Sequence, residues 1–192
     1  HSRALRMEKF DIFWGWASGA LSAARAARHR GASFVLDRAC PHVDAQQALV
    51  QSECERLGVR CQAEPQWFRE RQLAEYEEAD IILVGVSRTS KTPTSIYLAQ
   101  QGNQVSNIPL VPGIPLTESI VAAPQPLIVG LTREPKSLYD IRQSRLRIMN
   151  ENRSEGYADL DKVREEIAES RRLFAKLGWP VIDVTRLSIE ET

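Results

Sequence analysis

The sequence is poor in cysteine and aromatic side chains, and it has no excess of charge of either sign. Its three cysteines, Cys40, Cys54 and Cys61, lack the short spacing of a zinc site, so we expect reduced thiols and a cytoplasmic protein. The formal net charge of zero argues against nucleic acid as a partner. No apolar run reaches the roughly 18 residues that a membrane span requires. The first residue is His1 rather than methionine, which predicts processing or origin from a longer protein.

The most informative stretch begins where a short apolar run ends. Residues 80–84, Asp-Ile-Ile-Leu-Val, read as a buried strand, and Gly-Val-Ser-Arg-Thr-Ser-Lys-Thr follows them directly before a helix-like stretch. This order builds a phosphate cradle, because N–H groups of the loop and the helix N-terminus point at the anion while a lysine reaches the phosphates. We therefore predict nucleotide binding by the eight residues Gly85, Val86, Ser87, Arg88, Thr89, Ser90, Lys91 and Thr92.

Individual roles follow from the side chains. Lys91 is the candidate catalytic cation, since an ammonium here neutralises the phosphate charge that grows during phosphoryl transfer. The Thr92 hydroxyl is the candidate Mg²⁺ ligand. Gly85 is expected to let the backbone turn through its conformational freedom, and Arg88 to clamp a phosphate with its two-pronged guanidinium.

One position departs from the phosphate-loop consensus. Ser90 stands where that consensus has glycine before the Lys-Thr pair. A loop that merely caps a helix therefore remains an alternative, with Ser90 or Thr92 as the N-cap and Pro93 in the first turn.

Apolar runs alternate with helix-like stretches along the whole chain. The strands are apolar throughout, which favours a parallel sheet buried on both faces. The predicted fold is α/β, a three-layer and mostly parallel sheet with helices on both faces and a phosphate-loop-like strand-loop-helix in the C-terminal half. The predicted strands are residues 9–14, 32–39, 80–84, 104–111, 126–131 and 180–184, and the predicted helices are residues 17–30, 43–57, 64–79, 92–101, 136–149 and 160–177.

Phosphoryl transfer also needs a carboxylate that orients the nucleophile. Asp183, at the end of the last predicted strand, is our catalytic candidate because such sheet edges often hold sites, although a simple turn residue fits equally well. Asp159 is a weaker candidate, since its position before an amphipathic helix favours an N-cap.

Other polar residues are better explained without a site. His42, a lone histidine in a predicted loop, is typical of a surface or packing residue rather than of a sugar-nucleotide cleft. A local basic stretch could meet phosphate or an acidic partner, but a solvated helix face is the favoured account. This stretch comprises Arg133, Lys136, Arg142, Arg145 and Arg147.

The C-terminal part resembles the regulatory proteins of pyruvate, phosphate dikinase and phosphoenolpyruvate synthase. The motifs include the segment IILVGVSRTSKTPTSIYLAQQG, the segment IPLVPGIPL and the segment YADLDKVREEIAESRRLFAKLGWPVIDVT. The resemblance covers about residues 80–192 and corresponds to the C-terminal half of that family. Its motifs lie within residues 80–102, 107–116, 129–132, 141–150, 157–185 and 188–192.

The resemblance implies two activities at one site. One is an ADP-dependent serine/threonine kinase that phosphorylates a threonine of pyruvate, phosphate dikinase or phosphoenolpyruvate synthase, with Mg²⁺ as the expected cofactor. The other uses phosphate to remove that group and releases pyrophosphate. The matching nucleotide site is the loop from Gly85 to Thr92. Because the family's own N-terminal half is missing from the resemblance, we expect nucleotide binding with weak or no catalysis.

The preceding part resembles something else. Residues 10–58 and 67–84 look like the N-terminal domain of a retaining, two-domain glycosyltransferase, and both families have a strand of the type Ala-Asp-Ile-Ile-Leu-Val. We therefore predict a chimera: a glycosyltransferase-like Rossmann-type half-domain over residues 1–79 and a nucleotide-binding kinase/pyrophosphorylase domain over residues 80–192. The alternative functions are a glycosyltransferase fragment and a non-catalytic chimeric product.

Overall fold

A computed structural model describes residues 11–16, 20–37, 43–59, 74, 76–114, 116, 120, 126–149 and 157–192. Within these residues the strands are β1 (Ile12–Trp16), β2 (Ser33–Asp37), β3 (Ile81–Gly85), β4 (Val105–Pro109), β5 (Leu127–Thr132) and β6 (Val181–Asp183). The helices are α1 (Leu21–Arg28), α2 (Val43–Leu57), α3 (Lys91–Gln100), α4 (Pro135–Met149) and α5 (Leu160–Leu177). No described helix is long and apolar enough to cross a membrane.

The strands form one sheet in the order β1-β2-β4-β3-β5-β6, and every neighbouring pair is parallel. The central strands are buried along nearly their whole length, although β4 carries Ser106 and Asn107 between its apolar residues. Because all strands run the same way, their carboxyl ends meet at one edge of the sheet. The loops that follow β2, β3, β4 and β5 therefore share that edge.

Helices cover both faces of the sheet. Phe174 of α5 joins Ile82 and Val84 in one apolar cluster, while Leu98 of α3 packs on a second cluster that contains Leu83. Ile82 and Val84 point to the opposite face from Leu83, since side chains alternate along a strand. Gly130 of β5 lets the Phe174 ring approach, because a Cβ there would lie 2.6 Å from the ring. The predicted three-layer α/β fold is confirmed.

The predicted elements fall close to the observed ones, with ends differing by a few residues. The helix predicted over 43–57 has those bounds, whereas most of the helix predicted over 64–79 lies outside the described residues. β2 pairs with β4 through Val35 opposite Val105, so strands from both sides of the predicted boundary at residue 79 share one sheet. The division into two domains stays a prediction.

Candidate functional site

The loop from β3 to α3 is tightly wound. Two non-glycine residues in it have left-handed backbones, Arg88 with φ 72° and Ser90 with φ 60°. Thr89 is completely buried, and its Oγ1 donates a 2.9 Å hydrogen bond to the carbonyl oxygen of Val86. These contacts hold the loop as a compact turn directly before the first residue of the helix.

Gly85 is required for a reason that the sequence did not indicate. Its φ is not in the left-handed region, so the expected role of conformational freedom is wrong. A Cβ at this position would lie 2.6 Å from the carbonyl oxygen of Leu131 and 2.8 Å from Oγ1 of Thr89. Gly85 therefore serves close approach, because only a bare Cα lets β5 and the loop come this near.

Ser90 adopts the conformation that glycine would take. It occupies the N-cap position of α3 with φ 60° and ψ 17°, but its side chain caps no backbone N–H. Its hydroxyl instead accepts a 3.3 Å hydrogen bond from Nη2 of Arg133. The alternative that Ser90 or Thr92 caps the helix by its side chain is therefore wrong, whereas Pro93 does lie in the first turn. The free N–H groups of that turn remain available to an anion.

The Lys91 side chain folds back across the loop. Its Nζ donates to the carbonyl oxygens of Gly85 and Val86 at 2.8 and 2.9 Å. Burial lowers the pKa of Lys91 from 10.5 to about 8, opposed by the charge of Asp37 and assisted by Arg142 and Arg88. An ammonium has three N–H donors, so one donor remains for a ligand, and an incoming anion would restore the lost solvation.

A carboxylate from a distant strand completes this corner. Asp37, the last residue of β2, accepts a 2.9 Å hydrogen bond on Oδ2 from the Thr92 hydroxyl. Its Oδ1 accepts a 3.1 Å hydrogen bond from Nδ2 of Asn107, which also donates to the Ser95 hydroxyl at 3.0 Å. Thr92, the predicted metal ligand, thus has a carboxylate beside its hydroxyl.

An open cavity of 540 Å³ lies above the loop at the carboxyl edge of the sheet. Among the described residues of its lining, three are cationic, namely Arg88, Lys91 and Arg133, and one, Asp37, is acidic. We call this space the phosphate cavity. Its charge and its helix N-terminus suit an anion with several oxygens. The described residues that line it are Asp37, Ser87, Arg88, Ser90, Lys91, Thr92, Pro93, Pro109, Leu110, Val111, Arg133 and Ile141.

A second, more apolar cavity of 340 Å³ adjoins the first. The two share Leu110 and Val111 in their linings. The second cavity also contains the side chains of Ile114, Leu173 and Ser170. We call it the apolar cavity.

The predicted carboxylates lie elsewhere. Asp159 caps α5 by accepting from the N–H groups of Asp161 and Lys162 at 2.9 and 3.0 Å, and chiefly the bond from Lys162 lowers its pKa. Asp183 accepts from Arg171 at 3.0 Å and from Thr185, and it does not line the phosphate cavity. A catalytic role for Asp183 stays a prediction, and His42 lies outside the described residues.

The basic stretch is not one solvated face. Arg142 is 1% exposed, so the expectation of solvation is wrong for it, whereas Lys136, Arg145 and Arg147 are exposed as expected. Arg133 lies in the phosphate cavity. Arg142 breaks the pattern because α4 packs against α5 at this position.

Arg142 forms a compensated cluster behind the loop. Its Nη2 lies 2.6 Å from Oε2 of Glu166, and its Nη1 donates to the carbonyl oxygen of Tyr157 at 3.0 Å. The guanidinium stacks 4.8 Å from the Tyr157 ring centroid. The same tyrosine hydroxyl is 3.2 Å from Oγ of Ser87. Helices α4 and α5 therefore support the phosphate loop from below.

Sequence reasoning missed Asp37 and the separate role of Arg133. Asp37 ends a run of five buried strand residues, the same signal that drew attention to Asp183. Arg133 directly follows β5. Both could have been found by asking which charged residues follow buried strands, because the carboxyl ends of parallel strands share an edge.

Comparison with known proteins places residues 70–192 in the family described as Kinase/pyrophosphorylase. A pyruvate, phosphate dikinase regulatory protein of Paramagnetospirillum magneticum is 57% identical over 115 residues, 60% of this chain and 37% of the relative. A protein of the same name from Rhodospirillum rubrum is 53% identical over 121 residues, 63% of this chain and 44% of the relative. The match thus spans less than half the length of these relatives. The chain belongs to the kinase/pyrophosphorylase family.

Proposed function

We propose that the chain binds ADP in the phosphate cavity as part of a regulatory serine/threonine kinase and pyrophosphorylase. Its protein substrate would be pyruvate, phosphate dikinase or phosphoenolpyruvate synthase. The observation that carries the proposal is the position of Lys91: its half-buried side chain lines a cationic cavity at a helix N-terminus, and its amine donates to two carbonyl oxygens of the loop. The family and the names of the relatives support this proposal.

Both proposed reactions move one phosphoryl group between oxygens. In the kinase direction, the threonine oxygen attacks the β-phosphorus of ADP, the bond to the bridging oxygen breaks, AMP leaves and the threonine proton is released. In the reverse modification, an oxygen of inorganic phosphate attacks the phosphothreonine phosphorus, the bond from phosphorus to the threonine oxygen breaks, the threonine oxygen takes up a proton, and pyrophosphate is released as the product. Charge accumulates on phosphate oxygens in both, so the same cations serve both.

The residues of the cavity have distinct parts in this scheme. The Lys91 ammonium uses its third donor on the phosphate that loses or gains the phosphoryl group. Arg133 reaches Ser90 from the end of β5, so its guanidinium faces the cavity from the other side. Arg88 lies on the exposed rim. Opposed cations orient the phosphates, and catalysis of phosphoryl transfer consists mostly of such positioning together with electrostatic stabilisation.

The apolar cavity supports a nucleotide rather than pyrophosphate alone. It adjoins the phosphate cavity through Leu110 and Val111, and its remaining walls are mostly apolar. Nucleoside sites typically combine apolar walls with a few polar groups, and Ser170 and Glu166 supply such groups here. We place the adenosine of ADP in this cavity.

Mg²⁺ fits the oxygen donors present. Thr92 offers a hydroxyl and Asp37 a carboxylate at the edge of the phosphate cavity. Mg²⁺ prefers oxygen ligands and commonly takes only one or two from protein, with substrate phosphates and water supplying the others. Bound Mg²⁺ would neutralise part of the negative charge of the phosphates.

Calorimetric titration with ADP tests the proposal. Replacing Lys91 by alanine should weaken ADP binding by on the order of tenfold to a hundredfold, about 1.4 to 2.8 kcal/mol, through loss of a charge-assisted hydrogen bond. Lys176→Ala, which removes an exposed lysine near the end of α5, is the matched control and should bind like the unaltered chain. Equal affinities of the two variants would remove Lys91 from the site.

The glycosyltransferase-like character of the N-terminal part and a cytoplasmic location stay predictions. A glycosyltransferase fragment would have the acceptor-side domain without the domain that normally holds the sugar nucleotide, so sugar transfer is not expected, and its detection would favour that alternative. A non-catalytic chimera would bind no ADP, would transfer no sugar and would melt without cooperativity, since half-domains leave apolar surface exposed. An assay for sugar transfer from UDP-glucose, together with the ADP titration and a thermal melt, separates these alternatives from the proposed kinase.

A further inference from the structure

Asp37 lies before the region that the family model matches, yet it contacts the phosphate loop. The family match begins at residue 70, and Asp37 ends the second strand. Asp37 is 9% exposed and lines the phosphate cavity beside Thr92 and Lys91. A group from outside the family region thus belongs to the candidate site.

The sheet register explains this placement. Val35 lies opposite Val105 and Leu36 opposite Ser106, which brings Asp37 level with Asn107 at the carboxyl ends of β2 and β4. Asn107 and Thr92 each donate to a different oxygen of the carboxylate, at 3.1 and 2.9 Å. The two neutral donors fix its orientation without neutralising it.

Asp37 keeps its negative charge available to the cavity. Within the described residues it has no Lys or Arg nitrogen within 4.0 Å of its oxygens. A buried carboxylate held by neutral donors retains lone pairs for a cation or for water bound to one. The Thr92 hydroxyl donates its hydrogen to Asp37, so the lone pairs of the Thr92 oxygen are also free to bind a cation.

We infer that Asp37 is the cation-holding carboxylate of this site: together with Thr92 it holds the divalent metal that accompanies ADP. The inference rests on the proposed function and adds a residue from the N-terminal segment to it. A purely structural alternative is that Asp37 only orients Thr92. The two roles of Asp37 predict different results. If Asp37 holds the metal, the increase in ADP affinity caused by Mg²⁺ depends on the negative charge of Asp37. If Asp37 only orients Thr92, that increase does not depend on the charge.

The test is calorimetric titration with ADP, once with Mg²⁺ and once with EDTA, on the unaltered chain and on Asp37→Asn. The amide oxygen can still accept from Thr92, but the amide NH2 then faces the Nδ2 donor of Asn107, so a thermal melt must first show that this variant folds. We expect Mg²⁺ to tighten ADP binding in the unaltered chain and this gain to fall by on the order of tenfold or more in Asp37→Asn. Without Mg²⁺ the variant should bind ADP equally or more tightly, since a negative charge beside the phosphates is gone.

Two further variants complete the test. Asp161→Asn removes the same charge from an exposed position on α5 and should keep the full Mg²⁺ gain. Thr92→Val removes the hydroxyl that contacts Asp37 and should lose the gain, which covers the case that Asp37→Asn fails to fold. Thr92→Ser keeps the hydroxyl and should retain it.

Three results would overturn the inference. If Asp37→Asn folds and keeps the Mg²⁺ gain, Asp37 does not hold the metal. If the variant loses affinity equally with Mg²⁺ and with EDTA, Asp37 is only a positioning residue. If the unaltered chain binds no ADP under either condition, both this inference and the proposed function fail, so the two failures are distinguishable.

Discussion

Two cations lie at the phosphate loop, the buried Arg142 and the half-buried Lys91, and their surroundings differ. Arg142 has the Glu166 carboxylate at 2.6 Å and the Tyr157 ring beneath it. Among the described residues the Lys91 amine donates to two carbonyl oxygens, and burial lowers its pKa to about 8 although the charge of Asp37 opposes that shift. Arg142 is compensated inside the protein, whereas the charge of Lys91 is left for a ligand to compensate. Arg142 therefore stabilises the fold, whereas Lys91 is kept for binding at a cost in stability.

The largest effect on stability is expected when the ion pair between Arg142 and Glu166 is broken. Replacing Arg142 by methionine leaves the Glu166 carboxylate, whose side chain is 12% exposed, without its partner, so we expect the free energy of unfolding to fall by about 3 kcal/mol, the lower end of the range for buried pairs. Urea unfolding measures it. The matched control is Arg164→Met, which breaks the exposed pair with Asp161 and should cost less than about 1 kcal/mol. Similar losses in both variants would contradict the assignment of Arg142 as a structural cation.

The lowered pKa of Lys91 should make the stability of the folded chain depend on pH. Its folded pKa, about 8, lies below its unfolded pKa of 10.5. Between these values the unfolded chain binds more protons than the folded chain, so the contribution of Lys91 to stability rises with pH, by at most about 3 kcal/mol. Unfolding at pH 7.5 and pH 10.5 should therefore show this rise in the unaltered chain relative to Lys91→Met. Identical pH profiles for the two proteins would show that the amine is not desolvated.

The smallest expected effect concerns the loop backbone. Ser90 has a left-handed conformation that costs an L-residue about 1 kcal/mol. Ser90→Gly should therefore raise the free energy of unfolding by up to about 1 kcal/mol, whereas Ser90→Val should lower it by more than that. Thermal melts of both variants measure the pair. A gain in stability for valine would show that the loop does not have this backbone.

The sequence predicts more of the fold than of the site. Apolar runs and glycine stops located the strands and helices, since that information is local. The phosphate loop was local as well, from Gly85 to Thr92. Asp37 was missed because its contact with Thr92 depends on which strands are neighbours, and β2 lies beside β4 rather than beside β3.

Two further errors have the same origin. Arg142 was expected to be solvated because helical spacing alone does not show which part of α4 meets α5. The role of Gly85 was assigned to backbone freedom, although the nearby Leu131 carbonyl from β5 is what excludes a side chain. In each case the deciding neighbour is distant in the chain, so composition and spacing could not reveal it.

The central claim is that the Lys91 ammonium binds the phosphates of ADP. The most direct test is the ADP affinity of the unaltered chain at pH 7.5 and pH 9.5, measured by calorimetry beside Lys91→Met. With a pKa of about 8, the free amine loses its proton over this range, so affinity should fall by on the order of tenfold or more. Lys91→Met should bind weakly and equally at both values. Affinity that is unchanged by pH and equal in the two proteins would contradict the account.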